Sequence, residues 1–405
     1  MPFRSDTAER AVGTAVAEID RLGLEARVEH LGPVWSPTLR VELVRAGAAV
    51  AVGCGKGLGA AGVASAYFEA LERYLMSARD NLRWTPEATA LWSATAVAAQ
   101  PALAPDLVVQ RWAAEFPGAV AACAAYQGLA GTVRYPTFLV DPRYYRWPVD
   151  GDSVDGYRGV LRYSSSLGTA AGLTVDEAAY HGLCELVEHD GLGQALLRWF
   201  VAGDPGVDEV APASLPEDLR ALHADAVRAA GAPVHLLDVT TDLGVPVYLA
   251  VSALDGRTRM GAGSSVWATD AAGRALAELI QMSVPEAAGA EASAVRRLAS
   301  WPALQRCARL PVADLLAGPV RTVPLRADVD GDGSPRWGLD RLRRGLAANG
   351  VDFHVCPIAP AGSLVAVATV IAPGLERFSL VRHGVPVIPT GRGWHLWPSP
   401  EPVAA

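Results

Sequence analysis

Apolar and polar positions along Thr38–Arg45 and Ala48–Val52, with Ala46-Gly47 between them, predict two strands of a hairpin. An amphipathic helix is expected before it over 5–22, and a longer helix after it over 61–78. Farther on, the pattern predicts a short helix and connector across 80–105, a strand at Thr137–Val140 and a Pro/Asp-rich stretch at Gly203–Asp218. A helix at 218–230, paired strands at 233–239 and 246–253, and a helix at 270–282 follow. The last elements are a helix over Gly338–Gly350 and strands over Asp352–Pro357 and Leu364–Ile371. Strand pairs separated by helices predict an α+β fold with mixed sheets, and no short-period repeat is evident.

Three helices depart from the expected division into an apolar face and a solvated face. With Thr174 as N-cap, Glu177, His181, Glu185 and Glu188 recur at spacings of four, four and three, so they share one stripe flanked by Leu183, Cys184, Leu186 and Val187. Ser65, Glu69 and Glu72, followed by Arg73, form a second stripe. Arg274, Glu278 and Gln281 form a third. A solvated face is the ordinary reading of one such stripe, but three of them, each led in by glycines, point to a shared site. Clustered carboxylates repel one another unless a cation sits among them, and hard oxygen donors without a Cys or His set suit magnesium. Glycine loops and helix N-termini supply N–H groups for phosphate. A magnesium-nucleotide site surrounded by three glycine-led, glutamate-bearing helices is therefore expected.

These segments resemble the YcaO family of ATP-dependent enzymes that modify peptide backbone amides. The resemblance rests on Gly55-Lys56-Gly57 with Ser65-Ala-Tyr-Phe-Glu69-Ala-Leu-Glu72-Arg73. It also rests on Gly168-Thr-Ala-Ala-Gly-Leu-Thr-Val-Asp-Glu-Ala178 ahead of Glu185-Leu-Val-Glu188-His-Asp190, and on Asp238–Pro246 leading to Gly261-Ala-Gly263. It spans residues 40–375, with a lead-in over 1–40 and a C-terminal segment over 376–405. The family's pattern has Asn where Leu173 stands, Arg where His189 stands and often Arg where Ser283 stands; Arg274, Arg198 and His189 are available to compensate.

The resemblance implies ATP and Mg2+ as cofactors. Glu72, Glu188 and Glu278 would hold metal, and Lys56, Ser65, Glu69, Arg73, Glu177, Glu185 and Gln281 would hold nucleotide. The tail carrying Pro398, Pro400 and Pro402 is similar to the Pro-x-Pro-x-Pro ending of azoline-forming members, where it reaches the active site, and it also reads as a stiff polyproline end. The implied activity is cyclodehydration of Cys, Ser or Thr to azolines in a ribosomally made precursor peptide. Thioamide formation with a TfuA-like partner, macroamidine formation and a non-catalytic scaffold role are the alternatives. Only some 40 residues precede the first motif, so leader recognition is expected from a separate protein resembling ubiquitin-activating enzymes, and a homodimer is compatible.

Composition narrows the field. With 51% hydrophobic and 19% charged residues over 405 positions, the chain has ample core-forming material. A net charge of -8 argues against a broad nucleic-acid surface. The N-terminus has no apolar signal core and no run approaches a membrane span, which predicts a cytoplasmic protein. Five scattered cysteines without a Cys-x-x-Cys pair predict reduced thiols, Cys184 among them in the core. Gly57-Leu-Gly-Ala-Ala-Gly62 fits a dinucleotide fingerprint but leaves the glutamate stripes unexplained, and Asp328–Gly333 lacks the acidic twelfth position of a calcium loop.

Overall fold

The computed structural model describes residues 2–31, 38–55, 59–76, 89–283, 288–360 and 362–398. Fourteen strands are described: β1 (Glu25–Leu31), β2 (Thr38–Arg45), β3 (Ala48–Gly55), β4 (Thr89–Ser93), β5 (Val120–Gly128), β6 (Gly131–Pro136), β7 (Thr169–Gly172), β8 (Val207–Val210), β9 (His235–Asp238), β10 (Val247–Leu254), β11 (Arg257–Ser264), β12 (Val320–Val323), β13 (His354–Pro357) and β14 (Ala366–Ile371). They form three sheets. The first has the order β1-β2-β3, the second β11-β10-β9-β8-β12, and the third β4-β5-β13-β14-β7 with β6 paired to β5. Only the β8–β12 pair is parallel, so the second sheet is mixed and the other two are antiparallel.

Both hairpins that matter for the site close in the same way. Ala46-Gly47 joins β2 to β3 and Asp255-Gly256 joins β10 to β11, with φ of 49° and 81° in the first turn and 52° and 73° in the second. Two consecutive residues at positive φ match the right-handed twist of the flanking strands. A helix follows each hairpin directly: Gly59–Leu75 after β3 and Ala268–Gln281 after β11. A third long helix, Val175–Phe200, follows β7 and starts at Thr174, whose side chain accepts the Glu177 N–H.

The glycines ahead of these helices were expected to form phosphate-holding loops. Residues 56–58 lie outside the described residues; Gly53, Gly55, Gly261 and Gly263 lie in strands and let a helix lie close on its sheet. A Cβ at Gly53 would collide with Ala66 O and Ala70 N, and one at Gly261 with Ala275 O and Leu279 N. Gly55 and Gly263 repeat the arrangement one turn earlier, against Gly62 and Ala66 in one unit and Ala271 and Ala275 in the other. Small residues on both partners thus bring backbone against backbone.

The helix at Ala8–Arg21 and the Gly59–Leu75 helix cover the first sheet through Ala15, Ile19, Leu71 and Tyr74. The helices Glu217–Ala230 and Ala268–Gln281 cover one face of the second sheet through Leu219, Ala226, Leu276 and Leu279. The Val175–Phe200 helix runs through the largest core, with most of its residues buried. That position explains why its stripe of acids is unusual.

One element differs in kind from expectation. Thr137–Val140 is a short buried helix and not a strand, because the chain turns out of β6 at Pro136 and tucks Phe138 against Trp112 and Tyr157. Packing overrides β propensity there. Strands β1, β4, β5, β6, β7, β8, β11 and β12 were not expected; β5 is Ala-rich, and β7, β8 and β12 have four residues each. Among the described residues no helix is long and apolar enough to cross a membrane.

Candidate functional site

The three glutamate stripes face one cavity of about 380 Å³. Each helix contributes residues at i, i+4 and i+7: Ser65, Glu69 and Glu72; His181, Glu185 and Glu188; Arg274, Glu278 and Gln281. This spacing places three side chains on one helical face over two turns. The volume falls within the usual range for small-molecule sites.

The helices are tied to the strands around them by their own acids and amides. Glu69 accepts the Cys54 N–H from β3 at 2.9 Å, and Glu185 accepts the Gly168 N–H just before β7 at 2.9 Å. Gln281 donates to Cys54 O at 2.9 Å, so the third helix reaches back to the first sheet. Glu72 accepts the Ala171 N–H and joins the first helix to β7. The site is closed as a ring.

Electrostatics separates the two ends of that ring. Burial first, and then the charges of Glu185 and Glu69, push the Glu72 carboxyl well above its usual range, against the opposing pull of Arg73. A cation among these carboxylates would relieve the repulsion. On the Val175–Phe200 helix, about 16 Å before Glu188 at 1.5 Å per residue, Glu177 pairs with Arg4. Arg274 donates from Nη1 to His181 Nδ1 at 3.3 Å, while its Nε is buried with no partner. Burial opposes the Arg274 charge, but Asp270 and Glu188 among its neighbours outweigh that and its pKa is raised.

These features fit a metal-nucleotide ligand. Among the described residues no three His, Cys, Asp or Glu side chains come close enough to hold a metal ion by themselves. An ion here would complete its shell with phosphate and water oxygens, the usual habit of magnesium. An orphaned guanidinium N–H beside carboxylates offers the anion a donor.

Of the residues expected at the site, Ser65, Glu69, Glu72, Glu177, Glu185, Glu188, Glu278 and Gln281 all line the cavity. Arg73 does not; its guanidinium pairs with Glu69 and donates to Val52 O at 2.9 Å, so it acts on the cavity through Glu69. Pro398 is exposed and is not among the lining residues, while Lys56, Pro400 and Pro402 lie outside the described residues. Leu173 and His189, two of the departures from the family pattern, do line it, and His189 is hydrogen-bonded through Nδ1 to Ser379 Oγ at 2.8 Å. Cys184 is buried, and burial pushes its thiol up to about 12. Arg4 and Asp6 also line the cavity and were missed, since nothing local in Pro2–Thr7 marks a site.

The model of the YcaO family, described as YcaO cyclodehydratase, ATP- and Mg2+-binding, matches residues 54–376. The chain belongs to the YcaO family. Among solved structures, YcaO from Methanopyrus kandleri bound with AMPPCP and Mg2+ superposes with a TM-score of 0.64 at 20% identity, covering 96% of each chain. A heterocyclase in complex with substrate and cofactor gives a TM-score of 0.66 at 19% identity, over 92% of this chain and 53% of that one. Both likenesses establish the YcaO fold. An uncharacterised protein in the tfuA 3′ region of Rhizobium leguminosarum bv. trifolii is 32% identical over 224 residues, 52% of either chain. The chain spans about half the length of the curated relatives it matches.

Proposed function

We propose that this chain uses ATP and Mg2+ to activate a backbone amide of a peptide. The observation that carries the reading is the convergence of three i, i+4, i+7 triplets on one cavity, with burial and neighbouring acids holding the Glu72 carboxyl above its ordinary range. Glu72, Glu188 and Glu278 would hold the metal directly or through water, and Ser65, Glu69, Glu185 and Gln281 would orient the nucleotide. When bound, Mg2+–ATP supplies a phosphoryl group that turns a poor oxygen leaving group into a good one. Arg73 holds Glu69 in register, and Gln281 keeps the third helix against β3. By resemblance, Lys56 would contact the phosphates. A precursor peptide and a separate recognition protein complete the system.

Incubation of the chain with Mg2+, ATP and a precursor peptide, read by phosphate release and intact peptide mass, tests this. Loss of the mass of one water marks azoline formation, the reading favoured by the family description. Replacement of oxygen by sulfur marks thioamidation, which the tfuA-region relative favours as a second reading and which requires sulfide and a TfuA-like partner. If azolines form, deleting residues 398–405 should abolish product while nucleotide binding persists. No phosphate release with either peptide and partner present would rule out amide activation and leave the scaffold role.

A further inference from the structure

Residues 2–8 lie outside the family-matched span and yet build one wall of the cavity. Phe3 is fully buried, with its ring centroid 4.6 Å from Tyr180, 4.9 Å from Trp267 and 6.0 Å from Trp337. Its backbone sits at φ 56°, and its N–H donates to Gly333 O at 2.6 Å. A bulky residue keeps that conformation only where its surroundings over-determine it. Gly338 contributes to the fit, because a Cβ there would press on both Tyr180 and Phe3. Phe3 is therefore a plug, and it fixes where the next residue points.

That residue is Arg4. Its Nη1 lies 3.0 Å from Glu177 Oε1, and the Ser5 N–H and Leu173 N–H donate to Glu177 Oε2 at 3.1 and 3.3 Å. Both Glu177 carboxylate oxygens are thus engaged by the protein. Arg4 lines the cavity, and among the described residues its five-donor guanidinium has one hydrogen-bonded partner, Glu177. Burial lowers the Arg4 pKa against the pull of Glu177, and the nearby Arg274 charge adds to that. Two guanidinium groups line one cavity, and the Arg274 Nε is buried and unpartnered; together they offer donors to an anion.

We infer that Arg4 is a phosphate-binding residue of this cavity, delivered by an N-terminal segment that Phe3 pins in place, and that Glu177 orients Arg4 and does not itself contact the nucleotide. The inference rests on the ATP–Mg2+ reading. Calorimetric titration of the full chain with Mg2+–ATP, and in parallel with adenosine, tests it. Arg4→Ala is expected to weaken ATP binding about tenfold or more, the scale of one charge-assisted hydrogen bond, and to leave adenosine binding unchanged. Arg4→Lys should recover part of the loss. Adding Glu177→Gln to Arg4→Ala should cost nothing further. Equal ATP affinity in Arg4→Ala and the unaltered chain would overturn the inference and leave the ATP reading standing. Parallel loss of ATP and adenosine would also overturn it, by showing that the segment only shapes the cavity. An unaltered chain that binds no Mg2+–ATP removes both.

Discussion

The unit from β2 through the Gly59–Leu75 helix and the unit from β10 through the Ala268–Gln281 helix share one construction and carry different chemistry. Both have a two-residue turn at positive φ, a Gly-x-Gly at the end of the second strand and a small-residue helix face against it. Both present a triplet at i, i+4 and i+7 to the cavity. The first triplet is Ser65, Glu69 and Glu72, and the second is Arg274, Glu278 and Gln281. Small residues and turns set the backbone, while the triplets set the charge. The difference leaves an acidic end and a guanidinium end in one cavity, as a ligand with both metal and phosphate would require.

The largest effects should come from breaking the shared construction. Gly53→Ala and Gly261→Ala force a methyl into helix backbone atoms that cannot swing away, so each should destabilise the fold by about 3 kcal/mol. Gly13→Ala is the control: it lies exposed in the Ala8–Arg21 helix with nothing within 4 Å of a new Cβ. There the change should stabilise by about 0.5–1 kcal/mol through helix propensity alone. Urea unfolding of the three variants measures this. A mild effect at Gly261 beside a severe one at Gly53 would mean that the two units are not built alike.

The next effects come from exchanging the chemistry. Glu72→Gln should weaken Mg2+–ATP binding at least about tenfold, roughly 1.4 kcal/mol, while raising the melting temperature of the ligand-free chain. The sign follows from the raised pKa of Glu72 relative to its usual 4.5. Below the ordinary carboxylate range both folded and unfolded states are protonated and there is no penalty. As pH rises, the unfolded chain ionises first and the folded state is penalised until the raised pKa is passed, after which the penalty is constant. The stabilisation by Glu72→Gln should therefore be largest at neutral to alkaline pH and vanish in acid; a pH-independent gain would reject the electrostatic cause. Gln281→Glu is the reverse experiment. It sets a carboxylate against Cys54 O and should cost about 1–3 kcal/mol at neutral pH, with part regained on acidification.

The stripes were legible in the sequence because helical spacing fixes which side chains share a face, whatever the tertiary context. Every acid expected at the site lines the cavity. Long-range partners were not legible. The placement of Arg4 against Glu177, 173 positions away, follows from Phe3 entering an aromatic box whose members lie at 180, 267 and 337. The packing role of Gly53 and Gly261 was not legible for a related reason: Gly-x-Gly looks the same whether it frees a loop or admits a helix, and only the atoms opposite each glycine decide. Ala-rich β5 escaped because its residues suit a buried strand only once neighbouring strands cover it.

The smallest effect concerns the turns, where the two units differ at a single side chain. Asp255 occupies the first central position of one turn, and Ala46, at φ 49°, occupies it in the other. Asp and Asn tolerate the left-handed region because their short polar groups bond locally, whereas a Cβ-bearing apolar residue pays the full steric cost of about 1–2 kcal/mol. Ala46→Asn should therefore raise stability by about 1 kcal/mol, and Asp255→Ala should lower it by a similar amount. Neither turn borders the cavity, so Mg2+–ATP affinity should be unchanged in both variants. Equal and opposite shifts in urea midpoint, at constant slope, are the expected result. A shift at Asp255 with none at Ala46 would show that the first turn is held by its sheet and not by its own residues.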